Sequence, residues 1–296
     1  MKLKKLLPAL MVLLFTGTVF CQTGSGAGTS SGGTGSAGQN TSGGLKITLE
    51  EVNGELSIIS SQGAVRELVI PGTINGMPVT SIGAGAFTQR GLTKVTIPDS
   101  VTVIGDQAFS FNNIAELTIG NNVTTIGQKA FYYNQIQKLT LGESVTEIGM
   151  AAFAQNSLYE ITFPQSVASV GAYAFFMNRL RTLTIPGSVA NIGEGAFSTN
   201  RLYSLTMEDG VRTVGDGAFY NNRLTGITIP ASIQDLGLRV FESPNTLRSS
   251  QPPVDYVNDS GDILFTTANN FDAYYSANGK KAGKYSFTGG QWSFAE

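Results

Sequence analysis

The side chains best suited to recognition in this chain of 296 residues recur at one interval. Tyr159, Arg181 and Tyr203 stand 22 residues apart, and so do Arg179, Arg201 and Arg223. Tyrosine and arginine supply large contact areas and cation–π partners, and both are enriched where binding energy concentrates. Like charges aligned on neighbouring segments repel, so the arginines call for full solvation or an anionic partner. Catalytic chemistry is harder to find. Histidine is absent and the one cysteine is Cys21, which removes a Ser-His-Asp triad, thiol catalysis in the folded part, His or Cys zinc sites and internal disulfides. Glu116 and Glu160 are the remaining carboxylate pair, two intervals apart with Lys138 between them. On adjacent strands that is roughly 9 to 10 Å, at or beyond the upper limit for an inverting glycosidase pair, and the lysine favours both being ionised. The run Asn258-Asp259-Ser260-Gly261-Asp262 has oxygen ligands around a glycine, but Val257 stands where a calcium loop needs an acid, so it reads as a polar turn. No enzymatic activity, cofactor or metal is expected.

The interval that aligns these residues is set by the elements beneath them. Phe87, Phe109, Phe131, Phe153, Phe175, Phe197, Phe219 and Phe241 recur every 22 residues without a slip, so one unit is stacked many times as a solenoid. Within each unit the alternation of Leu117 with Ile119, Leu139 with Leu141 or Leu183 with Ile185 marks a short strand with one buried face. One strand per coil in a parallel sheet is the expectation. A Pro or Gly then turns the chain, an inward pair such as Val101 and Ile104 follows, and Gly recurs at 83, 105, 127, 149, 171, 193, 215 and 237. That glycine needs either positive φ or a close approach between coils. Asn112, Asn134, Asn156, Asn178, Asn200 and Asn222 hold one equivalent place, where a column of amides would satisfy corner backbone groups.

Outward strand positions form further columns. Thr96, Thr118, Thr140, Thr162, Thr184, Thr206 and Thr228 suit an exposed strand. Lys94, Glu116, Lys138 and Glu160 alternate in charge, which favours this register by roughly 0.2 to 1 kcal/mol per pair. The Tyr159, Arg181 and Tyr203 column is the expected contact surface.

The run of strand, Pro, Val, Ile-Gly, Ala-Phe and Asn over residues 65 to 245 resembles the BspA-like leucine-rich repeat of bacterial surface proteins, with Asn where many members carry Cys. The resemblance implies a right-handed, mostly β leucine-rich-repeat solenoid with a parallel sheet and a small β-rich C-terminal cap. It also implies a secreted or surface-attached binding protein, since some members are implicated in adhesion. It transfers no binding residues.

The flanks complete the expected layout. Lys2, Lys4 and Lys5 precede a mostly apolar stretch to Phe20, the layout of a signal peptide spanning 1–21. Cys21 has the place of a lipoprotein's acylated cysteine, although Phe20 replaces the usual small residue before it, and cleavage by ordinary signal peptidase is the alternative. Residues 22–44 form a Gly/Ser/Thr-rich linker with a reach of ~25 to 30 Å. Segment 45–80 is an N-terminal cap with an irregular first repeat, its turn at Ile74-Asn75-Gly76-Met77-Pro78; 81–246 is the solenoid; 247–296 is the C-terminal cap. In that cap, 262–267 reads as a strand, 270–278 as a short helix, and Lys284 to Phe294 as a hairpin turning at Gly289-Gly290. Its aromatics Phe271, Tyr274, Tyr275, Tyr285, Phe287, Trp292 and Phe294 would cover the open end of the stack or, as the sharper alternative, bind sugar.

Charge narrows the partner. Removing the three leader lysines from 19 basic residues leaves 16 against 21 acidic ones, a formal charge of −5. No broad positive field exists to hold nucleic acid. The expected function is an exported, lipid-anchored module that binds a protein or anionic glycan at the cell envelope, reaching the membrane through Cys21; a structural envelope scaffold without a specific ligand is the alternative.

Overall fold

The computed structural model describes residues 45–241, 256–257, 263–265, 275, 279–288 and 291–295. The leader, Cys21, the linker, the polar run 258–262 and most of the expected helix at 270–278 lie outside the described residues; within that helix Tyr275 alone is described, in helical conformation.

The repeats form a β-solenoid in which each coil contributes two strands. Three-to-four-residue strands occupy the predicted places, as in Lys94–Thr96, Glu116–Thr118, Lys138–Thr140 and Thr182–Ile185. A second, two-residue strand such as Val103–Ile104, Thr125–Ile126 or Ser169–Val170 follows in every coil. These short strands build the longer sheet. It runs unbroken from the N-terminal hairpin through Met77–Ile82 to Asp235–Leu236, 11 strands in all. The expectation of one strand per coil is therefore corrected: a two-residue strand is too short for period-two alternation to register in sequence.

The Phe side chains occupy the interior between the two sheets. All eight are buried, and consecutive rings lie parallel with centroids 5.1 to 5.8 Å apart. Offset stacking of this kind adds roughly 0.5 to 1.5 kcal/mol per pair beyond area burial. The Asn column stands beside it, buried. Asn156 Nδ2 donates to the carbonyls of Phe131 at 2.9 Å and Phe153 at 3.1 Å, and its Oδ1 accepts from Ile136 N–H at 3.0 Å. One amide thus ties three coil segments together, and the same pattern repeats at Asn134 and Asn200.

The recurrent glycines are explained by close approach. Gly149 has no positive φ, but a Cβ on it would lie 2.7 Å from the carbonyl carbon of Gly127 and 2.8 Å from Gln128 N and Ile126 O. The left-handed positions fall two and six residues later and are filled mostly by other types: Lys129 and Tyr133, Ala151 and Gln155, Tyr173 and Met177. Such a conformation costs an L-residue roughly 1 to 2 kcal/mol. It is held by parallel bonds to the next coil, for example Lys129 N–H to Met150 O and Tyr133 N–H to Ala154 O.

Both ends of the array carry added strands. Lys46–Val52 and Glu55–Gln62 form an antiparallel hairpin through the left-handed pair Asn53-Gly54, and Asn75-Gly76 turns Thr73–Ile74 back onto Met77–Ile82. At the other end Gly283–Thr288 pairs antiparallel with Gly226–Ile229 and with Gln291–Ala295. Ile263–Phe265 pairs with Tyr256–Val257. Tyr275, Tyr285 and Trp292 are buried, with Tyr285 and Phe294 rings 4.9 Å apart. The aromatics whose side chains are described therefore close the stack rather than offer exposed sugar platforms.

Candidate binding face

The candidate residues stand one or three residues before the longer strands Glu160–Thr162, Thr182–Ile185, Ser204–Met207 and Gly226–Ile229. Leu158, Leu180 and Leu202 point inward and are buried, so the residues on either side of them point out. Tyr159 and Tyr203 are about half exposed, at 47% and 49%, and Arg179, Arg181 and Arg201 are exposed. Arg223 is half-buried. Backbone bonds fix the register: Tyr203 N–H to Arg181 O at 2.9 Å, Thr225 N–H to Tyr203 O at 2.9 Å, Arg201 N–H to Leu180 O at 3.0 Å and Arg179 N–H to Leu158 O at 2.8 Å. Arg181 and Tyr203 are thus brought side by side, as are Arg179 and Arg201.

Between Tyr159 and Arg181 the strand ladder is interrupted. The sheet of longer strands is not continuous; it splits after Glu116–Thr118 and again after Glu160–Thr162, leaving segments of three, two and five strands. At each split the adjacent strands stay in contact but lack the ladder bond that the neighbouring coils make, such as Tyr159 N–H to Gln137 O at 3.1 Å. The first split opens a cleft of about 450 Å³ lined by Glu116, Leu117, Gln137, Lys138 and Tyr159. Leu117 is half-buried there, unlike its buried equivalents Leu139 and Ile161. Tyr159 therefore belongs to the strand between the two splits and lines this cleft.

Charge divides the face along the stack. Lys94 Nζ lies 2.8 Å from Glu116 Oε2, and Lys138 Nζ lies 3.6 Å from Glu160 Oε2. The Glu116 hydrogen bond and charge raise the Lys94 pKa above its ordinary value. The Glu116 and Glu160 carboxylates are each engaged by a lysine, one on either side of the first split. On the earlier coils this column is therefore balanced charge for charge. On the later coils these columns read Arg179, Arg181 and Thr182, then Arg201, Tyr203 and Ser204, then Arg223, Thr225 and Gly226. They contain four arginines and no carboxylate. Among the described residues, Arg179, Arg181 and Arg201 have no ion-pair partner within 4.0 Å.

Two features escaped the sequence reading. Phe111, Tyr132 and Tyr133 form an exposed ring group at the corner of the Phe109 and Phe131 coils, with centroids 5.3 to 6.2 Å apart. The detectable signal was aromatic residues at 111 and 133, where other coils carry Gln, Met, Thr or Asn. A second concavity of about 410 Å³ lies over Gly195 and Gly217, where two coils lack the side chain that Tyr173 and Arg239 present on either side. Tyr173 donates its hydroxyl to Glu194, which raises the phenol's pKa above its ordinary value. Among the described residues no group of three or more acidic side chains is placed to hold a metal ion, and no helix is long and apolar enough to cross a membrane.

The fold has solved relatives. A leucine-rich repeat protein of T. pallidum superposes with a TM-score of 0.53 at 22% identity, covering 68% of this chain and 89% of that one. A leucine-rich cell surface protein of Faecalibacterium prausnitzii aligns with a TM-score of 0.46 at 22% identity, covering 80% of this chain and 63% of that one. The pneumococcal vaccine antigen PcpA aligns with a TM-score of 0.45 at 16% identity, over 67% of this chain and 76% of the other. No curated protein matches the chain. The model of the BspA-type leucine-rich repeat region matches six copies, over residues 80–201, 124–248 and 169–291. With that match over most of its length, and with the Phe and Asn columns in register, the chain belongs to the BspA-type leucine-rich repeat family.

Proposed function

We propose that this protein is an exported binding module that holds an anionic partner, protein or glycan, on the arginine face of its later coils. The observation that carries the reading is the charge division: four arginines and no carboxylate in those columns, three of them without an ion-pair partner among the described residues, in a chain of formal charge −2. A local positive patch on an acidic protein attracts anions without attracting them everywhere. Tyr203 adds a half-exposed ring beside Arg181, and the exposed Thr184 adds a hydroxyl on the same strands. Glu116 and Glu160 belong to lysine pairs, so the face is read as non-catalytic.

The test is retention on an immobilised sulfated polysaccharide, used as an anionic probe, at low salt. The R179Q/R181Q/R201Q variant should lose at least tenfold in affinity and show a shallower salt dependence. Undiminished retention would falsify the reading.

Export and anchoring are supported by Lys2, Lys4, Lys5, the apolar run and Cys21 with the Gly/Ser/Thr-rich segment behind it. Acylation of Cys21 would place the array ~25 to 30 Å beyond the membrane surface. The protein should then partition into the detergent phase, and C21A should move it to the aqueous phase; aqueous partition of the unaltered protein would remove the anchor.

A further inference from the structure

The corner of the Phe109 and Phe131 coils carries an exposed ring group that neither the core nor the arginine face uses. Phe111 is 43% exposed and Tyr133 56% exposed. Both stand in left-handed conformation, at φ 55° and 56°. Bulky side chains are disfavoured there, and in the equivalent place a later coil has Asn221, a residue type that adopts this conformation more easily. Folding alone does not select an aromatic side chain at such a position, and neither ring is buried. Every coil has this left-handed corner, filled elsewhere by Gln89, Gln155, Met177, Thr199 and Asn221, so these two coils are set apart by the exposed aromatic ring itself.

The surroundings identify the chemistry. Tyr132 completes the group, edge-on to Phe111 at 5.3 Å, and its hydroxyl accepts a hydrogen bond from Gln155 Nε2 at 2.9 Å. Immediately past the Asn column lie Asn113 and Gln135, exposed and joined by a 3.2 Å hydrogen bond from Gln135 Nε2 to Asn113 Oδ1. Lys129 lies 5.9 Å from the Tyr132 ring centroid, and the backbone N–H of Arg90 donates to Asn112 Oδ1 at 2.9 Å. Flat apolar rings bordered by side-chain amides suit a ligand with apolar C–H faces and many hydroxyls. The group is compact, far smaller than the roughly 800 Å² per partner that a stable protein interface buries.

We infer that Phe111, Tyr132 and Tyr133, with the amides of Asn113 and Gln135, form a stacking site for a neutral polysaccharide. Its amides begin the column that Ser157, Arg179, Arg201 and Arg223 continue, so the site lies on earlier coils than the arginines and takes a ligand of different charge.

Affinity electrophoresis through gels containing soluble neutral polysaccharides (amylose, mannan, galactomannan and a mixed-linkage β-glucan) tests it. At least one should retard the unaltered chain, and F111N/Y133N should weaken that retardation at least tenfold. The melting temperature of F111N/Y133N should hold or rise, because asparagine relieves the left-handed strain. F111Q/Y133Q, which copies the residues at 89 and 155, is the second variant and should behave alike in binding. R179Q/R181Q/R201Q should keep the retardation. The inference is overturned if no neutral polysaccharide retards the chain, or if both variants bind as before. It is also overturned if the variants lose stability while retardation persists, or if sedimentation shows that the rings join two copies of the chain.

Discussion

Replacing Phe153 with Ala should lower the free energy of unfolding by roughly 4 kcal/mol, near the middle of the 3 to 5 kcal/mol range for a buried Phe. The ring is fully buried and stacks on both sides, on Phe131 at 5.2 Å and on Phe175 at 5.5 Å. Because each coil touches only its neighbours, the loss falls on two interfaces at once. Phe241 has one stacked neighbour in the column, Phe219 at 5.8 Å, so F241A should cost distinctly less. Urea denaturation of the two variants decides the point, and F153A should also broaden the transition by uncoupling the two halves of the array. Equal losses from the interior and end positions would show that the column does not couple the coils.

The second large effect is expected at Asn156. Its removal by N156A leaves the N–H of Ile136 without its partner and takes one of two amide donors from the carbonyls of Phe131 and Phe153, which keep Asn134 and Asn178. A buried donor left unsatisfied costs about 1 to 3 kcal/mol and each further lost hydrogen bond about 0.5 to 1.5 kcal/mol, so roughly 3 kcal/mol in total is expected. N156D separates a hydrogen-bonding role from a merely space-filling one. Aspartate keeps the acceptor for Ile136 N–H but turns a charged oxygen towards two carbonyl oxygens, so it should be no better than alanine near pH 7. An aspartate variant as stable as the unaltered chain would contradict the donor role assigned to Nδ2.

Much of this architecture was legible because it repeats. Phe at a fixed interval and the Leu and Ile alternation located the interior and one set of strands, and a buried polar residue in the same place six times forecast the amide column. The strands at Val103–Ile104 and its equivalents were not legible, since two residues cannot display a period. The recurrent glycines were legible as a constraint, but sequence alone offered two physical reasons, and only the 2.7 Å approach of a Cβ on Gly149 to the Gly127 backbone separates them. The left-handed corners were hidden because Lys129, Tyr133 and Met177 occupy them in place of glycine.

The candidate face was partly legible. Residues 22 apart stand as neighbours at Arg181 and Tyr203, but the splits in the sheet, one of which interrupts the ladder between Tyr159 and Arg181, depend on which backbone bonds form and leave no mark in residue type. The alternating Lys and Glu column gave pairs, and the structure adds that they are Lys94 with Glu116 and Lys138 with Glu160, one on each side of the first split. The exposed rings at the corner were present in the sequence as Phe111, Tyr132 and Tyr133, but an aromatic residue in a repeat reads first as core.

Site-specific photo-cross-linking to a sulfated polysaccharide tests the arginine face most directly. A photoreactive residue is placed at position 203, beside Arg181, or at position 191, exposed on the continuous sheet on the other side of the coils. Cross-links should form from position 203 and fall with added salt, while position 191 stays silent. Equal yields from the two positions, or cross-links from 191 alone, would contradict the assignment of the arginine face as the binding surface.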